Sequence, residues 1–154
     1  ALVLDLGHAA DVGRVGADVL RPHENVVLRT APLDHPDASN GYRLEYGGRT
    51  FALVSDTEGF PGKCDNDLLS LADHADLAVY DATYTEDEIG SRIGWGHSTW
   101  LRGIRLAEKA NVKHLCLFHH DPSHDDDFMD KLAAEADDVR AGTVTAREGQ
   151  IIDL

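Results

Sequence analysis

At 154 residues, 42% hydrophobic and 27% charged, the chain is long enough for one domain with a sizeable core. Twenty-eight acidic side chains against fourteen basic ones give a formal charge of −14, which disfavours a nucleic-acid duplex or anionic lipid as a nonspecific partner. No apolar run approaches the roughly 20 residues of a membrane helix, no basic-then-apolar leader opens the chain, and two cysteines make neither a disulfide framework nor a thiolate zinc cluster. A cytoplasmic location with no membrane partner is the expectation.

In chain order, short β-rich runs alternate with helical patterns. Leu2 to Leu6 and Val26 to Leu28 are strand-like. Tyr42 to Tyr46, Gly47-Gly48 and Thr50 to Val54 read as a hairpin whose turn needs the permissive backbone of glycine. Asp67 to His74 is a short helix. Leu77 to Tyr80 is an apolar run of the kind buried on both faces of a sheet. Ser98 to Ala110 is a longer helix capped by Ser98 or Thr99, with Leu101, Ile104 and Ala107 at helical spacing. Leu115 to Phe118 is a second buried run, within which Cys116 reads as a small core residue. Asp125 to Asp138 is a helix with aspartates at its positive N-terminal end and Phe128, Leu132 and Ala136 on one stripe. Val144 and Ile151-Ile152 close with edge strands. The alternation makes one α/β unit.

The chemistry sits in islands between these elements. Asp56 follows the run Phe51 to Val54, at a strand end, where a carboxylate can bridge two cations or simply form a turn. His35 lies before Pro36 in a loop. In the run Leu115 to His120 the two faces alternate, so only one of His119 and His120 points into a given site. His124 and Asp125 have a bland account, His124 as a solvated or supporting residue and Asp125 as a helix cap. His97 stands between Gly96 and a helix start, where the N–H groups of Ser98 and Thr99 are expected to face outward as an anion site. A histidine beside a bound phosphate can protonate a leaving alkoxide. Trp95 and Trp100 flank it, as packing residues or as a platform for a nucleobase.

Taken together the islands resemble the C-terminal half of the metallo-β-lactamase fold in its phosphodiesterase branch, the RNase Z and cyclic phosphodiesterase type. The residues that carry the resemblance are His35 shortly before Gly41-Tyr42, the strand ending Asp56-Thr57, Asp81 after the next strand, Gly96-His97-Ser98-Thr99, and a strand ending in His119. The resemblance implies part of an αββα sandwich, mainly its C-terminal sheet and helices. It implies two divalent ions, Zn²⁺ or Mn²⁺, with His35 on one metal, Asp56 bridging and His119 on the other. His97 is then the proton donor and Asp81 the acidic partner that orients a neighbouring group. The implied activity is hydrolysis of a small phosphodiester by a metal-activated water.

The departure is as informative. The His-x-His-x-Asp-His segment that supplies most ligands of one metal in that family is absent, and Gly7-His8-Ala9-Ala10-Asp11 has one histidine at the wrong spacing. Val3 to Gly7 resembles the Asp-x-Gly strand that normally precedes it. Residues 1–154 are therefore expected to form a single incomplete domain, with an apolar sheet face left for a homodimer partner or a complementing N-terminal segment. A catalytically inactive binding or assembly domain is the alternative.

Overall fold

The computed structural model describes residues 18–59 and 65–154, and they build a seven-stranded sheet with helices on one face. The strands are β1 (Asp18–His23), β2 (Val26–Leu33), β3 (Ser39–Tyr46), β4 (Arg49–Val54), β5 (Leu77–Asp81), β6 (His114–Phe118) and β7 (Val144–Thr145), in that spatial order. β1 to β4 pair antiparallel, and β4 to β7 run parallel. The β3–β4 hairpin turns where expected: Gly47 (φ 57°) and Gly48 (φ 76°) both occupy the left-handed region, and Tyr46 pairs with Arg49 across them.

Parallel neighbours need crossovers, and three helices supply them: α1 (Asp65–Ala72), α2 (Trp100–Lys109) and α3 (Asp126–Val139). Thr99 caps α2 by accepting the Arg102 N–H, and Asp125 caps α3 by accepting the Phe128 N–H. The helices bury Leu68, Leu71, Ile104, Ala107, Leu132 and Ala136 against Ala31, Leu33, Ala52, Val54, Tyr80, Leu115 and Leu117 of the sheet. The sheet residues in that set alternate with a second apolar series facing the other way. There Leu28, Leu44, Phe51, Leu53 and Val79 are half-buried and Leu20, Tyr46 and Phe118 exposed. Among the described residues no helix covers that second face. The architecture is thus the single C-terminal sheet with its helices, as the fold resemblance implies.

Several local expectations differ. β1 was not anticipated: Pro22 within it removes a ladder donor, which an edge strand tolerates, and its pairing with β2 is irregular between Leu20 and His23. Ile151-Ile152 forms no strand. β7 already supplies the pairing that β6 can accept there, and Ile151 is left 85% exposed. β6 stops at Phe118 rather than at His119, because His119 turns into the left-handed region at φ 61°. The run Leu2 to Leu6, the Val3–Gly7 resemblance and Cys64 lie outside the described residues. Cys116 is buried, as expected.

The strand directions decide where chemistry can sit. β2, β4, β5 and β6 all end at the same edge of the sheet, since β2 and β4 each run antiparallel to β3. His35, Asp56, Asp81 and His119 follow or terminate those four strands, so one edge receives them all. The carboxyl ends of parallel strands are the usual place for ligands in such sheets.

Candidate metal centre

Asp56 sits two residues beyond β4 with φ 59°, and His119 one residue beyond β6 with φ 61°. Non-glycine residues in this region are uncommon, and the strain turns both side chains off the sheet edge toward each other. His119 Nε2 comes 3.2 Å from Asp56 Oδ1. His35, Asp56 and His97 offer ligand atoms within 4.8 Å of one another, as do Asp81, His97 and His119. The His97 ring stacks on that of His119 at 4.7 Å between centroids and meets that of His35 edge-on at 5.6 Å. The five side chains singled out in the sequence therefore converge on one spot.

Asp81 organises the cluster from beneath. It ends β5 and is fully buried. Its Oδ2 accepts the Asp56 and Thr57 N–H groups at 3.1 and 3.3 Å and lies 2.9 Å from His97 Nδ1. Its Oδ1 accepts the Thr83 and Ser98 N–H groups, both at 3.2 Å, and lies 2.8 Å from Thr83 Oγ1. With Nδ1–H donated to the carboxylate, Nε2 of His97 is the ring nitrogen left for chemistry. Thr83 links the two dyads, its hydroxyl 2.6 Å from the His119 carbonyl oxygen and 3.1 Å from His119 Nδ1. The sequence reading missed this threonine, whose only signal is its place after Asp81.

One expectation needs correction here, and another narrows to one of its two alternatives. The N–H of Ser98 is spent on Asp81, and Ser98 and Thr99 are both fully buried, so the start of α2 is not an outward anion site. His124 is not solvated: its side chain is 5% exposed, it stacks on Phe128, and its Nε2 meets Glu88 Oε1 at 2.9 Å. Of the two adjacent histidines, His119 belongs to the cluster. Burial holds the His120 imidazole below its usual pKa, against the opposing pull of the Ala82 and Leu117 backbone. Trp100 packs into the core, whereas Trp95 is exposed in the loop before His97.

A family model described as the beta-lactamase superfamily domain matches residues 5–120, three quarters of the chain. The chain belongs to the metallo-β-lactamase superfamily. Within it, similarity runs to the phosphodiesterase-like branch. Ribonuclease Z of Halalkalibacterium halodurans is 35% identical over 107 residues, covering 70% of this chain and 33% of that protein. Ribonuclease Z of Brevibacillus brevis is 38% identical over 103 residues, covering 64% and 31%. Among solved structures, the short form of human tRNase Z superposes with a TM-score of 0.70 at 20% identity, over 90% of this chain and 47% of that one. The metallo-β-lactamase fold protein YhfI of Bacillus subtilis gives 0.69 at 22% identity, over 86% and 51%. This superfamily member thus spans about a third of the length of the two ribonucleases and about half of those solved chains.

The superfamily implies divalent metal, and the donors present fit it. Two imidazoles and a carboxylate without thiolate suit Zn²⁺ or Mn²⁺. His119 Nε2 lies 3.2 Å from Asp56 Oδ1, and His35 offers a ligand atom within 4.8 Å of those of Asp56 and His97. Three ligands are also fewer than two ions require.

Proposed function

We propose that this chain carries the C-terminal half of the site of a metal-dependent hydrolase that cleaves phosphodiesters. His35, Asp56 and His119 would be the residues that hold the metal, Asp56 as the one shared between ions, and His97 would be the proton donor held by Asp81. The observation that carries the reading is the Asp81–His97 pair, 2.9 Å apart, stacked directly on the His119–Asp56 pair. Two divalent ions bound there would supply an activated water and polarise the phosphoryl group.

The residues of the chain do the rest. Asp81, fixed by four backbone N–H groups, cannot swing, so it holds the His97 ring in one tautomer and one orientation. Nε2 of His97 is then placed to give a proton to the leaving alkoxide as the P–O bond breaks. Stacking on His119 keeps that nitrogen next to the ligand set. The ribonuclease names of the relatives support a phosphodiester over an ester or lactone as the bond cleaved. The charge of −14 favours a small diester, and competition by RNA against a small chromogenic diester decides the size of the substrate.

The remaining ligands would come from a complementing N-terminal segment packed on the uncovered apolar face, with a second copy of the chain as the competing occupant. The absence of His-x-His-x-Asp-His from this sequence is the specific observation that favours the other reading, an inactive binding or assembly domain.

Elemental mass spectrometry on the purified chain, with and without a segment bearing the missing motif, separates the two. Metal held by the chain and lost in Asp56→Ala is expected, with diester turnover once the segment is supplied. In that assembly His97→Ala should lower turnover about 10²-fold while metal content holds. No metal under either condition leaves the binding-domain reading standing.

A further inference from the structure

Glu58 is 4% exposed, two residues beyond the bridging aspartate of the proposed site, and among the described residues its carboxylate makes no ion pair. Backbone donors satisfy it instead. The Gly94 N–H lies between its two oxygens, 2.9 Å from Oε1 and 2.8 Å from Oε2, and the Gly96 N–H donates to Oε2 at 3.2 Å. Its own N–H donates to the Asp34 carbonyl at 2.9 Å, and its carbonyl accepts Arg102 Nη1 at 2.9 Å. One buried residue therefore ties together the loops that carry His35, Asp56 and His97.

In the loop it holds, the Trp95 N–H also donates to the Arg92 carbonyl at 3.1 Å. Gly94 and Gly96 both have φ 86°, and Ile93 and Trp95 project into solvent. Gly96 lies against His35 so closely that a Cβ there would come within 2.2 Å of His35 Cδ2 and 2.6 Å of Pro36 Cδ. His97, one residue on, thus has its backbone set beside that contact while Asp81 holds its ring. A buried carboxylate accepting N–H groups makes stronger, more directional bonds than a neutral acceptor, and here they fall on the two glycines that set the loop's course.

We propose that Glu58 is a positioning residue: it clamps Gly94 and Gly96, and through them fixes His97 against His35 and His119. The inference rests on the reading of His97 as proton donor for its consequence in turnover, but the clamp itself is tested without activity. Glu58→Gln is isosteric and places an N–H₂ beside the Gly94 N–H, so the bifurcated contact is lost. In the purified chain, amide hydrogen exchange at Gly94 and Gly96 is expected to rise at least about tenfold, while the core amides of Leu115 and Leu117 keep their rates. The imidazole resonances of His97 and His119 should move, and those of the remote, exposed His74 and His114 stay in place. Glu58→Asp, which keeps the charge but withdraws it by one methylene, should fall between wild type and Glu58→Gln.

Unchanged exchange at the two glycines, or a rise only in step with Leu115 and Leu117, overturns the proposal. In the motif-supplied assembly, Glu58→Gln should lower kcat about tenfold with KM and metal content unchanged, and a loss confined to KM also overturns it. Full turnover in His97→Ala, with both glycines still protected, would remove the proton-donor reading and leave the clamp intact.

Discussion

β5 is bracketed by two buried aspartates, and they serve opposite ends of the sheet. Asp76, just before the strand, is 6% exposed; Asp81, at its end, is fully buried. Asp76 meets cations: Lys113 Nζ at 2.5 Å and Arg49 Nη1 at 3.3 Å, with the Thr50 N–H on its second oxygen at 2.8 Å. Asp81 meets N–H groups, a hydroxyl and an imidazole, and among the described residues no lysine or arginine. The first arrangement spends its charge on joining β4, β5 and β6. The second holds the His97 imidazole at the end of its hydrogen bonds, the arrangement that the proposed proton donor needs. Both ends carry a buried aspartate, so the partners make the difference between a clasp and the proposed site.

The comparison is sharpest at Asp81. Asp81→Asn turns an N–H₂ group toward backbone donors and leaves at least one of them unpaired in the interior, at a cost of about 3 kcal/mol in urea unfolding. His97 should lose its fixed orientation in the same variant, visible as an altered Nδ1 proton resonance. A cost near zero would mean that Asp81 is as dispensable as a surface residue and that the edge is held by something else.

At the other end the effect should be smaller and pH-dependent. The Lys113 ammonium, followed by the Thr50 N–H, lowers the Asp76 pKa from 3.8 to about 2. Because the folded value lies below the unfolded one, its stabilisation is present above about pH 4 and disappears as pH falls through about 2. Lys113 and Arg49 are 61% and 56% exposed, which screens the pair and keeps the contribution to about 1 kcal/mol. Asp76→Asn should therefore be less stable than wild type by that amount at pH 6, with the gap closing toward pH 2. A gap that widens on acidification would contradict the assignment. Arg49→Ala should be the mildest change, about 0.3 kcal/mol, since the guanidinium is mostly solvated. If it matched Asp76→Asn, Arg49 and not Lys113 would be the working partner.

Much of the architecture was legible because it rests on local chemistry. The paired glycines at 47 and 48, the caps at Thr99 and Asp125 and the stripe of Leu132 and Ala136 each state their structure within a few residues. β1 was hidden by Pro22, and Ile151-Ile152 suggested a strand that finds no neighbour, because edge pairing depends on what lies beside it. At the site, the motif spacing singled out all five side chains that converge. It could not reveal that the Ser98 N–H is taken by Asp81, that His124 is buried on Glu88, or that Thr83 and Glu58 hold the loops, since those contacts join residues 17 to 38 positions apart.

Periodicity, capping and motif order are written along the chain, and they were enough for the alternation of strands and helices, the superfamily, and a short set of histidines and carboxylates as candidate metal ligands. Tertiary structure alone decided that β2, β4, β5 and β6 end at one edge. It also decided that His119 rather than His120 turns into the cluster, and that the apolar face carrying Leu44, Phe51 and Leu53 is the one no described helix covers. The physical reason is that strand direction, a left-handed backbone turn and the side chosen by a crossover helix are each settled by packing between distant segments, where both faces of the sheet offer nearly the same hydrophobic gain.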